Sequence, residues 1–374
     1  MDNESFISAS SPEPPPHLHL LPDELLVIIF RLSKKHEHST VHRPISRRLW
    51  PCQRAALLHE VMIYSNRALA AFDRLLDNDV GARELVVEFG LANHDRSTTD
   101  VGPAQLAALL GKLPRVQLLR SNDLEEQHIP VFVVPTALAS PSGLRSLDHT
   151  MCGDWPVANW PAQLGIFDEL VELHLEVRSD DAVRHAQAGA PLSRLRKLSL
   201  HGPGMSPWAG PPLRDWAPNL VALQLEDYQP FKWFAPMLAT APVGLRKLVV
   251  VCEQPEEEPR DEENTAVGAL DDELPRFSSL EFLELCRGSF TPDRLLPYLC
   301  TLSTLRTLAF AEQSPVTDAL LRSLVAEWPT PQRLQRLVLD HVTAPRGTAT
   351  MWDAVRALQA QGVVVTGKAL GAGL

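Results

Sequence analysis

The chain has 374 residues, of which 45% are hydrophobic and 22% charged, so it is long enough to bury a large core in one or two domains. The formal net charge of −11 is mostly local, because residues 253–273 hold ten acids and one arginine, a net of −9. The remainder is nearly neutral, which argues against a nucleic-acid partner, and no apolar run is long enough to cross a bilayer.

Residues 1–19 are acidic, polar and rich in proline, so we expect a disordered tail and not a secretory signal. The five cysteines are scattered without a Cys-x-x-Cys pair, which favours a reducing compartment, the cytoplasm or the nucleus, over a disulfide framework or a zinc site. They are Cys52, Cys152, Cys252, Cys286 and Cys300. The histidines at 36, 38 and 42 are interpreted as solvated loop residues and not as a metal site, and we expect no metal or cofactor.

The first predicted element is the helix LPDELLVIIF, residues 21–30, which is apolar on nearly every side. Pro22 suits the first helical turn, where acidic residues complement the helix dipole. Leu25 belongs to one apolar stripe, with Leu21, Ile28 or Ile29, and Leu32; Leu26 and Phe30 form a second. A module of about 40 residues cannot bury both stripes in its own core. We favour the interpretation that the second stripe, Leu26 and Phe30, is left for a partner; the alternative is that it packs on the first repeat of the solenoid.

This region resembles the F-box family, whose motif begins Leu-Pro-x-Glu-Leu-Leu-x-x-Ile-Phe. The matching residues are Leu21, Pro22, Glu24, Leu25, Leu26, Ile29 and Phe30. The family's later Val-Cys-basic-basic-Trp stretch is similar to Ile45, Ser46, Arg47, Arg48 and Trp50, with one extra residue before the tryptophan, and the family's next apolar pair and strand start match Leu57, Leu58 and Val61. Residues 33–44, SKKHEHSTVHRP, depart from the Leu-rich turns of the family and predict only a weak helix over 36–43.

An internal repeat dominates the rest of the chain. Apolar residues at relative positions 0, +3 and +5 recur in LVELHL, LRKLSL, LVALQL and LRKLVV, which start 25 residues apart at 170, 195, 220 and 245. Further copies start at 280, 305 and 334, and weaker ones at 58, 82, 113, 144 and 360. On a helix, these offsets would point to about 0°, 300° and 140°, so they share no face. On a strand, positions +3 and +5 point the same way, so each copy predicts a short strand with an inward pair.

Helical patterns between the copies complete the predicted architecture. They lie at 104–113, 291–302, 316–328 and 351–362. Strand, loop and helix at this period predict an α/β fold of stacked parallel strands with outer helices, similar to the leucine-rich-repeat family. We therefore expect a tail over 1–19, a small all-α F-box-like module over 20–56, a leucine-rich-repeat solenoid over 57–366 and a tail over 367–374. The acidic stretch 253–273 is interpreted as a solvated loop within the solenoid, with a docking role for a basic partner as the alternative.

The variable positions of the strands should form one continuous concave surface, because stacked strands lie about 4.8 Å apart. The candidate substrate-binding residues are Glu172, His174, Glu176, Lys197, Ser199, His201, Gln224, Glu226, Lys247, Phe282 and Glu284, alongside Ala222, Val249, Val251 and Cys286. Arg145, Arg196, Arg246 and Arg306 recur at the second position of their copies, and they form either a solvated edge or an anion site. No nucleophile elbow, Gly-rich phosphate loop or marked acid–base pair is found, so we expect no enzyme.

The combination of a short F-box and leucine-rich repeats is common in the F-box family, and the chain is most similar to its fungal members. The resemblance implies a substrate receptor of an SCF-type cullin-RING ubiquitin ligase, which binds the Skp adaptor and, through it, a cullin. The implied adaptor-binding residues are Leu21, Pro22, Leu25, Leu26, Ile29, Phe30, Ile45 and Trp50. The repeats would hold an unidentified protein substrate. The alternative is a leucine-rich-repeat scaffold with a degenerate F-box and no ubiquitin role.

Overall fold

A computed structural model describes residues 21–36, 47, 49–92, 108–122, 143–151, 164–165, 167–177, 190–202, 212–227, 234–252, 268–286, 288–311, 314, 316–327, 334–340 and 349–367. Its central feature is a sheet of twelve parallel strands that pair in strict chain order from β1 to β12. The strands are β1 Glu60–Ile63, β2 Glu88–Ala92, β3 Leu118–Asn122, β4 Ser146–Met151, β5 Glu172–Val177, β6 Lys197–His201, β7 Ala222–Asp227, β8 Lys247–Cys252, β9 Phe282–Leu285, β10 Thr307–Phe310, β11 Arg336–Leu339 and β12 Val364–Thr366. The predicted α/β architecture of stacked parallel strands is therefore confirmed.

Helices flank this sheet, and those that follow β1 in the chain cover one of its faces. Within the described residues they are α1 Asp23–His36, α2 Trp50–His59, α3 Asn66–Asn78, α4 Val80–Arg83, α5 Leu213–Trp216, α6 Phe234–Thr240, α7 Pro292–Thr301, α8 Asp318–Glu327 and α9 Ala349–Ala360. From α3 onward, their apolar side chains join the inward strand residues in one hydrophobic core. The last three predicted helices are confirmed as α7, α8 and α9, whereas only residues 108–110 of the first predicted helix are helical in the described part.

The helix α3 shows how the sequence produces this layer. The hydroxyl of Ser65 accepts a hydrogen bond from the backbone N–H of Ala68, at 3.2 Å, and so caps the helix at its N-terminus. Leu69, Phe72 and Leu76 recur at helical spacing and are buried in the main core. The apolar spacing therefore fixes which face of the helix meets the sheet.

Nine of the predicted strand copies have the correct register, and three do not. The weak copy placed at 82 predicts residues 85 and 87 as the inward pair, but the inward pair of β2 is Phe89 and Leu91, four residues later. Phe89 pairs with Val61 of β1 and is fully buried. The copy placed at 113 is wrong by three residues, since Leu119 pairs with Phe89. The copy placed at 360 is wrong by two residues, since Val365 pairs with Leu337. Near each of these three strands, other apolar residues also have the spacing of the repeat. Only the pairing with the adjacent strand shows which residues point inward.

The end of the acidic stretch 253–273, which its charge predicts to be a solvated loop, packs against the rest of the protein. Residues 253–267 lie outside the described part, but 268–273 form turns that lead into a 3₁₀ turn, Leu274–Arg276. Backbone N–H groups of Gly268 and Leu270 donate to carbonyls of Gly288 and Ser289, at 3.0 and 2.9 Å, and Leu270 is fully buried. Gly268 has φ of +80°, a conformation that glycine adopts without strain. The end of the stretch is therefore part of the packed structure and not a solvated loop.

Candidate functional site: an apolar helix pair and a polar sheet face

The N-terminal helices α1 and α2 pack on each other around a small core of their own. Leu26 is buried against Leu49 and Cys52, and the partly buried Leu21 and Val27 pack on this cluster, which is distinct from the main core. The chain then continues from α2 directly into β1. The helix pair is thus attached to the end of the sheet while it keeps a separate interior.

Among the described side chains of this helix pair, three large apolar ones face solvent. Leu25 is 47% exposed, Ile28 49% and Trp50 38%. Leu25 and Ile28 are three residues apart and share one face of α1, nearly opposite the face that carries Leu26 and Val27. One apolar stripe therefore remains at the surface, but it is not the stripe of Leu26 and Phe30 that the sequence assigns to a partner, because Leu26 closes the small core.

The stripe that is exposed differs in part from the predicted adaptor-binding set. Pro22, Leu25 and Trp50 are exposed, and Leu21 and Ile29 are half-buried. Leu26 is buried within the helix pair, so its side chain is unavailable to a partner while the two helices stay packed. Ile45, the side chain of Phe30 and the segment 37–46 lie outside the described residues. Ile28, which the family motif leaves variable, is among the exposed residues.

Ion pairs connect the helix pair to the first repeats. The guanidinium of Arg31 in α1 lies 3.7 Å from the carboxylate of Glu88 in β2, and Arg54 of α2 pairs with Asp79 just before α4. Asp79 also caps α4 by accepting from the N–H of Ala82, at 3.1 Å. The Arg54 hydrogen bond is the main cause that lowers the pKa of the Asp79 carboxyl. These contacts link α1 and α2 to β2 and to the start of α4.

The sheet face opposite the core, which we call the open face, carries the predicted substrate-binding residues in aligned rows. The strand register places Glu172, Lys197, Ala222, Lys247 and Phe282 side by side in a first row. A second row holds His174, Ser199, Gln224, Val249 and Glu284. A third row holds Glu176, His201, Glu226 and Val251. The structure therefore brings all eleven predicted residues onto one surface.

Side-chain pairs link neighbouring strands from β5 to β7 on the open face. Lys197 pairs with Glu172, and the imidazole of His201 lies 3.5 Å from the carboxylate of Glu226. The amide of Gln224 donates to the same Glu226 carboxylate, at 3.4 Å. Cross-strand pairs of this kind stabilise the sheet only modestly, so a ligand could compete for their polar groups.

Apolar residues become more frequent towards β9 to β11, where charged residues such as Glu284 and Arg336 are also present. The ammonium group of Lys247 lies 4.9 Å from the centre of the Phe282 ring, a cation–π contact. Next to them, burial raises the pKa of the Glu284 carboxyl; the carboxylates of Asp340 and Glu226 raise it further, whereas Lys247 opposes the shift. A partly buried carboxylate between apolar neighbours favours a ligand that supplies a hydrogen-bond donor or a cation.

Two predicted positions on this face are not available to a ligand. Val249 is only 4% exposed, because the larger side chains of Gln224 and Glu284 flank it in the same row, and Cys286 is fully buried behind the end of β9. The predicted substrate-binding set does not include Asp148, although this residue lies on the same face. Asp148 pairs in register with His174, and its carboxylate lies 3.9 Å from the imidazole. Its copy, LRSLDH, carries histidine at an inward position, and aligning this copy with its successor would have revealed the pair.

Within the described residues, no group of three or more His, Cys, Asp or Glu side chains is placed to hold a metal ion. The described helices likewise include none whose length and apolarity suit a membrane span. The two surfaces offer an apolar contact at the helix pair and paired polar side chains across the open face.

No model of a known protein family matches the chain, and no curated protein matches it. Among solved structures, the chain is similar to a crystal structure of a Bacteroides fragilis protein determined by a structural genomics consortium. The two share 12% sequence identity, with a TM-score of 0.40, over 91% of this chain and 80% of that chain. A similarity of this size assigns neither a family nor an activity.

Proposed function

We propose that the protein is a substrate-recognition subunit of an SCF-type cullin-RING ubiquitin ligase. The N-terminal helix pair docks on the Skp adaptor, and the open face of the sheet holds a protein substrate. The observation that carries the proposal is that a helix pair with its own core leaves Leu25, Ile28 and Trp50 exposed at the end of a long polar sheet face.

The exposed apolar side chains support the docking half of the proposal. A large apolar side chain costs free energy when it stays in water, about 25 cal/mol for each Å². Leu25 and Ile28 lie on the helix whose sequence matches the F-box motif, and neither is used by the small core. Aromatic and aliphatic residues that project together in this way are typical anchors of protein interfaces.

The open face supports the substrate half. Its rows run across neighbouring strands with backbones held in register, so the side chains are positioned by a rigid scaffold. In this role the protein performs no chemistry. It raises the effective concentration of substrate lysines near a ubiquitin-conjugating enzyme that the ligase brings to the same assembly.

The test of docking is co-purification with the Skp adaptor. We expect the wild-type chain to form a 1:1 complex and the double variant Leu25→Asp, Ile28→Asp to bind at least about 100-fold more weakly, since two interface anchors become charged. The matched control is Leu75→Asp with Val80→Asp, which charges two exposed apolar residues outside the helix pair and should leave binding unchanged. Leu26→Asp is unsuitable because it would disrupt the small core.

The proposal fails if the wild-type chain does not bind the adaptor, or if the Leu25 and Ile28 variant binds as tightly as the control. Circular dichroism and the urea midpoint of the variants should match the wild type, because the substituted side chains are exposed. These two measurements separate lost docking from lost folding.

The second candidate is a repeat scaffold without a ubiquitin role. It is favoured by the completeness of the open face without α1, since the sheet begins at Glu60 and every row lies within the repeats. In that case, partner capture is the same in the wild type and in the Leu25 and Ile28 variant, and the abundance of captured partners in cells does not change when the helix pair is altered.

A further inference from the structure

A row of arginines follows the edge where the strands begin. From β4 to β10, it consists of the residue after the buried Leu that leads into each strand: Arg145, Val171, Arg196, Val221, Arg246, Glu281 and Arg306. Each backbone N–H donates to the carbonyl of the row member before it, at 2.7–2.9 Å, from Val171 through Arg306. The seven residues, which we call the arginine rim, therefore stand on consecutive strands in an unbroken line.

Arginine occupies every second position of this rim. Parallel strands lie about 4.8 Å apart, so successive arginines are about 9.6 Å apart along the edge. All four are exposed, and the intervening Val171 and Val221 are half-buried. Within the described residues, no carboxylate forms an ion pair with Arg145, Arg196 or Arg306. The rim is thus a periodic line of cations with short apolar steps between them.

The rim already holds one carboxylate of the chain itself. Glu281 stands where a valine stands elsewhere, and its carboxylate lies 2.9 Å from the guanidinium of the neighbouring Arg246. An arginine of the rim can therefore reach a carboxylate that sits over the next strand. At Val171 and Val221 the corresponding place carries no acid, so a ligand would have to supply it.

We infer that the arginine rim from Arg145 to Arg246 binds an extended acidic protein segment with a carboxylate at every third residue. This deepens the proposed substrate-holding function and rests on it. A polyproline II segment has three residues per turn and rises about 3.1 Å per residue, so every third side chain points the same way about 9.3 Å apart. That repeat matches the arginine spacing. A β-strand does not match, because its side chains return to one face every two residues, about 6.7 Å apart.

The charge distribution around the rim favours this ligand over a nucleic acid. Glu172 lies beside the rim in the first row of the open face, and Glu281 belongs to the rim itself. A strand with a phosphate at every nucleotide would meet these acids as well as the arginines. Carboxylates spaced by three residues meet only the arginines.

The test is fluorescence anisotropy of two labelled peptides titrated with the full chain at low salt. One peptide repeats Glu-Pro-Pro four times, and the other has the same composition with its glutamates contiguous. We expect the periodic peptide to bind about fivefold more tightly, because only it engages successive arginines, and its binding to weaken with added salt. The double variant Arg145→Ala, Arg196→Ala should lose this advantage. The matched control removes two exposed helix arginines, Arg74→Ala and Arg356→Ala, and should retain it.

Equal affinity for the two peptides would overturn the inference, and so would an advantage that persists in the Arg145 and Arg196 variant. Tighter binding of a single-stranded oligonucleotide of equal charge would overturn it too, in favour of a general anion surface. The titration contains no adaptor, so a negative result here is distinguishable from a failure of docking, which the Leu25 and Ile28 variant measures separately.

Discussion

The stability of the protein should fall between pH 7 and pH 4 because of one buried histidine. His149 occupies an inward position of β4, between Ser121 and Leu175 of the neighbouring strands, and is only 1% exposed. Burial lowers the pKa of its imidazole from 6.5 to about 4. The folded chain therefore holds the histidine neutral at a pH where the unfolded chain already protonates it.

The direction and size of the effect are set by proton linkage. Because the folded-state pKa lies below the unfolded value, the contribution to stability is complete above pH 6.5 and is lost as the pH falls towards 4. One pKa unit corresponds to about 1.4 kcal/mol, so the loss relative to pH 7.5 should reach roughly 2 kcal/mol at pH 5 and about 3 kcal/mol at pH 4.

The assay is urea unfolding followed by tryptophan fluorescence at pH 7.5, 6.0 and 5.0, for the wild type and His149→Leu. Leucine is the residue at the equivalent position of most other strands, and it does not titrate. The free-energy difference between the two proteins should shift by about 2 kcal/mol in favour of the leucine variant between pH 7.5 and 5.0. His149→Gln is the matched control, since it also lacks a titration and should show the same shift at a different absolute stability. Parallel wild-type and variant curves across this range would refute the buried neutral histidine.

Two further predictions concern how the repeats are joined and closed, and both are measured by urea unfolding. Asp271→Ala removes the hydrogen bonds that this carboxylate accepts at the start of α7 and should cost about 1–2 kcal/mol, whereas Asp272→Ala, whose side chain is 89% exposed, should cost less than about 0.5 kcal/mol. Equal costs would contradict the capping role. Gly367→Ala should cost at least about 2 kcal/mol, because φ is +140° and a Cβ would lie 2.1 Å from the carbonyl oxygen of Leu339. Gly362→Ala, with φ of +88° and no atom within 4 Å of its Cβ, should cost about 1 kcal/mol, and a larger loss there than at Gly367 would argue against the backbone clash.

Most of the fold could be predicted from the sequence, because the regular spacing of the repeated copies shows where each short strand begins. The copies from 170 to 245 are 25 residues apart, and the alternation of Leu173 and Leu175 with His174 already separates the buried from the exposed face. The alignment of Glu172, Lys197 and Lys247 in one row is a consequence of that period alone. Physically, parallel strands of equal repeat length stack with little freedom of register once one face must be buried.

What the tertiary structure decided was the set of choices between equally apolar residues. Leu25 and Leu26 are chemically identical neighbours, but packing against Leu49 and Cys52 buries one and leaves the other exposed. Likewise, the pairing of Phe89 with Val61 decides which residues of β2 point inward, and the copy predicted over residues 82–87 does not. Composition and periodicity fix how much apolar surface an element carries, whereas the direction in which that surface points depends on neighbours that are distant in the chain.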